Sequence, residues 1–140
     1  MENKVFTFAG IGMIGSAIVN FIGGWSTDFA TLLICMIVDY VTGFLVAGVF
    51  KKSTKTENGA LNSRIGFIGL ARKVITLFFV LIGYRLDLLL GCDYIRTAII
   101  IGFICNELIS IIENAGLIGV PIPKVLTDAI DILKNKENKK

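Results

Sequence analysis

No histidine occurs in the 140 residues, and the three cysteines, Cys35, Cys92 and Cys105, are too few and too scattered for a disulfide framework. No cysteine pair has metal-site spacing, so the commonest zinc ligands and the commonest general base near neutral pH are both missing. The sequence therefore predicts no metal, no cofactor and no enzyme: it offers no nucleophile with a partnering base. Charge is scarce too, at 18% of residues against 54% hydrophobic, with a mean hydropathy of +0.77. A soluble domain of this size needs more polar surface than that. What is present predicts a single all-α integral membrane domain covering residues 1–140.

Residues 5–25 form a run of 21 without one charge, which at about 1.5 Å per helical residue matches a hydrocarbon core of about 30 Å. The run is too long for a secretory signal and reads as a span, or as a re-entrant segment. Residues 29–50 form a second run, with Asp39 as its single charge, and only Ser26, Thr27 and Asp28 separate it from the first. The string KKSTKTENGALNSR, residues 51–64, is a solvated loop with turn formers at Asn58 and Gly59. Residues 63–73 suit a short interfacial helix before a third span over 74–90. A fourth run covers 95–112. After Pro123, Val125, Leu126, Ala129, Ile130 and Leu133 recur at helical spacing and predict a C-terminal amphipathic helix, on the membrane or on a partner subunit, within a tail of residues 121–140. Four spans are expected, with three as the alternative if the first run stays interfacial.

With four spans, 12 of the 14 basic residues fall on the side of the termini and of the 51–73 connection, leaving Arg85 and Arg96 on the other. The positive-inside rule then predicts a multi-pass protein of the cytoplasmic membrane with both termini in the cytoplasm.

Polar residues inside such runs are the candidate functional residues, because a carboxylate facing lipid at the midplane costs at least roughly 2.5 to 3.5 kcal/mol. Asp39 sits about 11 residues from either end of its run, on a face with Gly43 and Ala47 that permits close helix approach. It reads as part of a packing seam or as a lumen-facing charge. Asn106, Glu107, Ser110, Glu113 and Asn114 recur at spacings of three and four, a polar stripe that lines something wet or marks where the helix leaves the membrane. Asp39 and Glu107 fall at similar depth and are expected to meet within one subunit or between neighbours, with Arg85 in reach of Asp39. The segment GIGMIG, residues 10–15, matches a dinucleotide fingerprint in form only, since no strand precedes it; Gly10 and Gly15 read instead as a packing face.

Three strings together, DYVTG at 39–43, SRIGFIGLARK at 63–73 and NELISIIENAGLIGVPIPK at 106–124, resemble the toxin-secretion/phage-lysis holin family of Gram-positive bacteria and their phages. The resemblance covers roughly residues 28–134 and is most specific in the last string. It implies a host-lysis protein that accumulates in the cytoplasmic membrane, forms a homo-oligomer and opens a pore or lesion through which an endolysin or a toxin passes as cargo. Lipid and further copies of the chain are then the partners, and nucleic acid is not. The alternatives from the residues themselves are a small transporter or ion-channel subunit using Asp39 and Glu107 at the midplane, and a membrane scaffold that conducts nothing.

Overall fold

The computed structural model describes residues 2–137, and the last lysines of the expected tail, Lys139 and Lys140, lie outside the described residues. The described residues form five helices: α1 (Glu2–Phe21), α2 (Thr27–Gly48), α3 (Ser63–Leu90), α4 (Ile95–Leu117) and α5 (Lys124–Glu137). Among the described residues there is no strand. The first four helices are long and apolar enough to cross a membrane. Their outward faces carry exposed Phe44, Phe67, Phe78 and Leu89, which water would not tolerate in such density and lipid does.

α4 is the centre of the bundle. It packs against α2, α3 and α5, while α2 and α3 touch each other little. The core joins Ile22 and Phe29 at one end to Cys35, Met36 and Ile104 near mid-height, with Leu32, Val80 and Ile100 wholly sealed from solvent. α1 stands apart: no residue in its apolar stretch Lys4–Phe21 is buried, and it is apolar all the way round.

Two glycines let the outer end close. Gly23, at φ +102°, ends α1 in a conformation that side chains resist, and a Cβ there would meet the Tyr84 ring at 2.7 Å. Gly83 lets α3 approach α4, since a Cβ would lie 2.7 Å from Ile99 Cδ1 and 3.1 Å from Arg96 Cα.

The expected interfacial helix over 63–73 is not a separate element. Residues 63–90 form one helix of 28 residues, about 42 Å long, started by Asn62, whose side chain accepts the backbone N–H groups of Arg64 and Ile65. No proline interrupts the stretch, so Arg72 and Lys73 sit within a continuous helix rather than at a boundary. The fourth helix likewise continues past the expected limit of 112 to Leu117, where Gly119 at φ +79° turns the chain and the Val120 N–H bonds back to the Ala115 carbonyl. α5 then returns onto α4 of its own chain: Ile130 is buried and Leu133 packs against the core, where the sequence pattern pointed to the membrane or a partner.

Candidate intramembrane polar site

Asp39 on α2, Lys73 on α3 and Glu107 on α4 meet at one point. Lys73 Nζ donates to Asp39 Oδ2 at 2.8 Å and to Glu107 Oε2 at 2.5 Å, and all three side chains are mostly withdrawn from the surface, at 12 to 15% exposure. Three charges in a low-dielectric interior persist only when paired and hydrogen-bonded, because each ion alone carries a desolvation penalty of several kcal/mol. A single ammonium between two carboxylates meets that condition and ties three helices together.

The pairing extends toward the loop end. Asn114 Nδ2 donates to Thr42 Oγ1 at 3.0 Å and to Asp39 Oδ1 at 3.3 Å, and the Thr42 hydroxyl donates to the Asp39 carbonyl at 3.0 Å. Ser110 faces the same carboxylate. Gly43 leaves room for this: its Cβ position is 3.7 Å from Asn114 Nδ2, an ordinary contact, and Ala47 is buried on the same side of α2. A cavity of about 270 Å3 between α2, α3 and α4 runs from residues 53–62 down to the three charged groups.

The polar stripe of α4 is thereby divided. Glu107, Ser110 and Asn114, at spacings of three and four, turn toward α2 and α3; Asn106 and Glu113 are each offset by one residue, or about 100°, and are exposed, Asn106 at the rim of the same cavity and Glu113 outside it. Arg85 does not reach Asp39. It is exposed 12 residues beyond Lys73 on α3, about 18 Å toward the opposite end, and Lys73 holds the place assigned to it. Gly10 and Gly15 meet nothing within 4 Å in this chain.

A second polar cluster lies at the other end. Arg96 is buried and donates through Nε to the Ile22 carbonyl, through Nη2 to the Gly24 carbonyl and through Nη1 to Ser26 Oγ, while its guanidinium stands 5.5 Å over the Phe29 ring. Asp87 accepts the backbone N–H groups of Ile95 and Arg96, both at 2.9 Å, and so caps α4 from α3. Between the two clusters lies the apolar layer of Leu32, Val80 and Ile100 with its neighbours.

Sequence reasoning missed Lys73, Thr42 and Arg96. For Lys73 the signal was charge balance: two carboxylates at one depth require a cation, and Lys73 has the stem length to supply it from a neighbouring helix. Thr42 is one turn from Asp39 within DYVTG. Arg96 gave no signal, because its partners are two backbone carbonyls, a serine hydroxyl and a phenylalanine ring rather than a carboxylate.

Two charged layers separated by an apolar one, in a chain whose outer faces are apolar, belong to a membrane protein. Residues 16–135 match the bacteriophage holin family. The chain belongs to that family. An uncharacterised protein of Halalkalibacterium halodurans is 41% identical over 131 residues, covering 89% of this chain and 91% of the relative. An uncharacterised 14.9 kDa protein of Clostridium perfringens is 37% identical over 140 residues, covering 98% of this chain and all of the relative. A protein of Bacillus phage phi105 named "Probable holin" is 31% identical over 110 residues, covering 78% and 76%. No solved structure matches the chain. The family match begins at residue 16, inside α1, so Gly10 and Gly15 lie outside the matched residues, while both charged layers lie within them.

Proposed function

We propose that this holin-family chain accumulates in the bacterial cytoplasmic membrane, assembles into homo-oligomers and opens a lesion that releases a murein hydrolase or, as the other cargo class, a toxin. The observation that carries this reading is the Asp39, Lys73 and Glu107 cluster, closed within one chain and mostly withdrawn from the surface. In a single subunit these groups satisfy one another, so the chain inserts as a nearly neutral bundle. In an assembly, a neighbour's helix replaces the intramolecular packing, and Glu107, Ser110 and Asn114 turn with Asn106 and Glu113 toward water. Gly10 and Gly15 on α1, free of contacts in the single chain, supply a face for a neighbouring copy. The basic loop and tail hold the termini in the cytoplasm.

The test is induced expression with and without a co-expressed endolysin, following turbidity and membrane potential. Abrupt clearing that requires the endolysin is the expected result. Ion-selective current without passage of a reporter enzyme supports a second reading, an ion-channel or transporter subunit. The observation favouring that one is the cavity that reaches the two carboxylates from one end of the bundle.

A further inference from the structure

The place α5 takes on the bundle is out of keeping with its charges. Leu126, Ile130 and Leu133, at spacings of four and three, turn inward; Ile130 is 4% exposed and Leu133 packs against the core. That core ends at Met36 of α2 and Ile104 of α4, 12 and 13 residues, or roughly 18 to 20 Å, short of the loop-side ends of the two helices. Leu133 is nine residues into α5, about 14 Å along it. α5 therefore descends beside α4 instead of lying across its end, and carries Asp131 alongside the stretch of α4 that crosses the hydrocarbon.

The opposite face of α5 is polar. Lys124, Asp128, Asp131 and Asn135, at spacings of four, three and four, are all exposed. Where α2 and α3 face outward they show Val41, Phe44, Phe78 and Phe79 instead. α4, which packs against α5, has its own exposed polar edge at Asn106 and Glu113, seven residues and so two turns apart. Carboxylates at this depth are among the costliest groups to leave against lipid, and they face water where they persist.

We infer that the outward face of α5 and the Asn106 to Glu113 edge of α4 form the water-facing wall of each subunit in the assembled protein. Val125 and Ile132, exposed on one flank of α5, then meet the neighbouring copy that continues the wall. The inference rests on the lesion proposed above and specifies which side of the subunit borders it. In a lone subunit enclosed by lipid, the same face reaches water only with α5 lifted onto the membrane surface. Docking of α5 on α4 thus accompanies assembly.

Spin labels on the full chain in marker-loaded phosphatidylglycerol vesicles test depth and solvent together, at a protein density where the unaltered chain releases the marker. In a Cys92→Ser background, which leaves only the buried Cys35 and Cys105, nitroxides are placed at Asp93→Cys in the outer turn and at Asp131→Cys. Diluted with unlabelled chain, the two should lie roughly 25 Å apart by double electron–electron resonance, against about 35 Å or more for an α5 on the membrane surface. Collisions with a water-soluble nickel chelate should be severalfold more frequent at Asp131→Cys than at Phe78→Cys on the lipid face of α3, and collisions with oxygen should show the reverse order. A long distance puts α5 on the surface and overturns the wall. A short distance with oxygen favoured, or with neither reagent admitted, gives the polar face to lipid or to a second copy and overturns it equally. Vesicles that keep their marker while showing the short distance and the nickel collisions would remove the lesion and leave the water-facing wall standing.

Discussion

The side chain of Asp87 on α3 accepts the backbone N–H of Arg96 on α4 at 2.9 Å, while the guanidinium of Arg96 points away to hold the α1 to α2 corner. One residue thus receives a cap through its backbone and delivers a clamp through its side chain. Arg96→Lys retains the charge but not the planar fork that reaches two carbonyls and a hydroxyl. The expected loss is about 1 to 3 kcal/mol, read as faster proteolytic nicking near Gly24 and Trp25 in detergent-solubilised protein.

Lys73→Met removes the ammonium and keeps most of the stem, leaving Asp39 and Glu107 facing each other without a cation. Destabilisation of about 3 to 5 kcal/mol is expected in a reversible unfolding titration in mixed micelles. Adding Asp39→Asn and Glu107→Gln to the same chain should recover most of that loss, because the neutral trio has no buried charge to compensate. A triple variant as unstable as Lys73→Met alone would show that packing, rather than charge, sets the effect.

How far the fold was legible in the sequence can be judged from α3. Its apolar half was plain from composition, yet Arg72 and Lys73 mark a membrane boundary by the usual reasoning, and here the lysine points inward to a pair of carboxylates. A one-dimensional pattern records that a residue is charged; it does not record which way a flexible stem runs. Asp39 and Glu107 were legible as a pair because they lie at similar depth counted from the outer ends of their apolar runs, and no similar rule reveals an arginine held by the carbonyls of Ile22 and Gly24 and the hydroxyl of Ser26. The stripe on α4 was legible as a stripe but not as two, since its division depends on where α2 and α3 stand.

Asp39→Asn and Glu107→Gln, made separately, each leave Lys73 with one carboxylate. Each should shift the onset of turbidity loss in the induced-lysis assay, and unchanged onset in both would remove the cluster from the permeation step. The direction is expected to be the same for the two, since either substitution weakens the same three-helix tie.

Gly83→Ala and Gly43→Ala separate two kinds of glycine. The first places a methyl 3.1 Å from the Arg96 Cα, where helix backbones must part, and should cost about 1 to 3 kcal/mol in the same unfolding titration. The second meets only Asn114 Nδ2, at 3.7 Å, and should fall within about 0.5 kcal/mol of the unaltered protein.

The length of α3 has a consequence for where the protein works. A continuous helix of 28 residues, about 42 Å, exceeds a hydrocarbon thickness near 30 Å by roughly two turns, whereas α2 at 22 residues and about 33 Å nearly matches it. Because the two are joined through α4 by a common charged layer, α3 cannot correct its excess by tilting alone without dragging that layer with it. The surplus must emerge on the loop side or thicken the surrounding bilayer. Membrane thickness therefore bears mechanically on the Lys73 contacts, and membranes of different acyl-chain length should set different thresholds for their rupture.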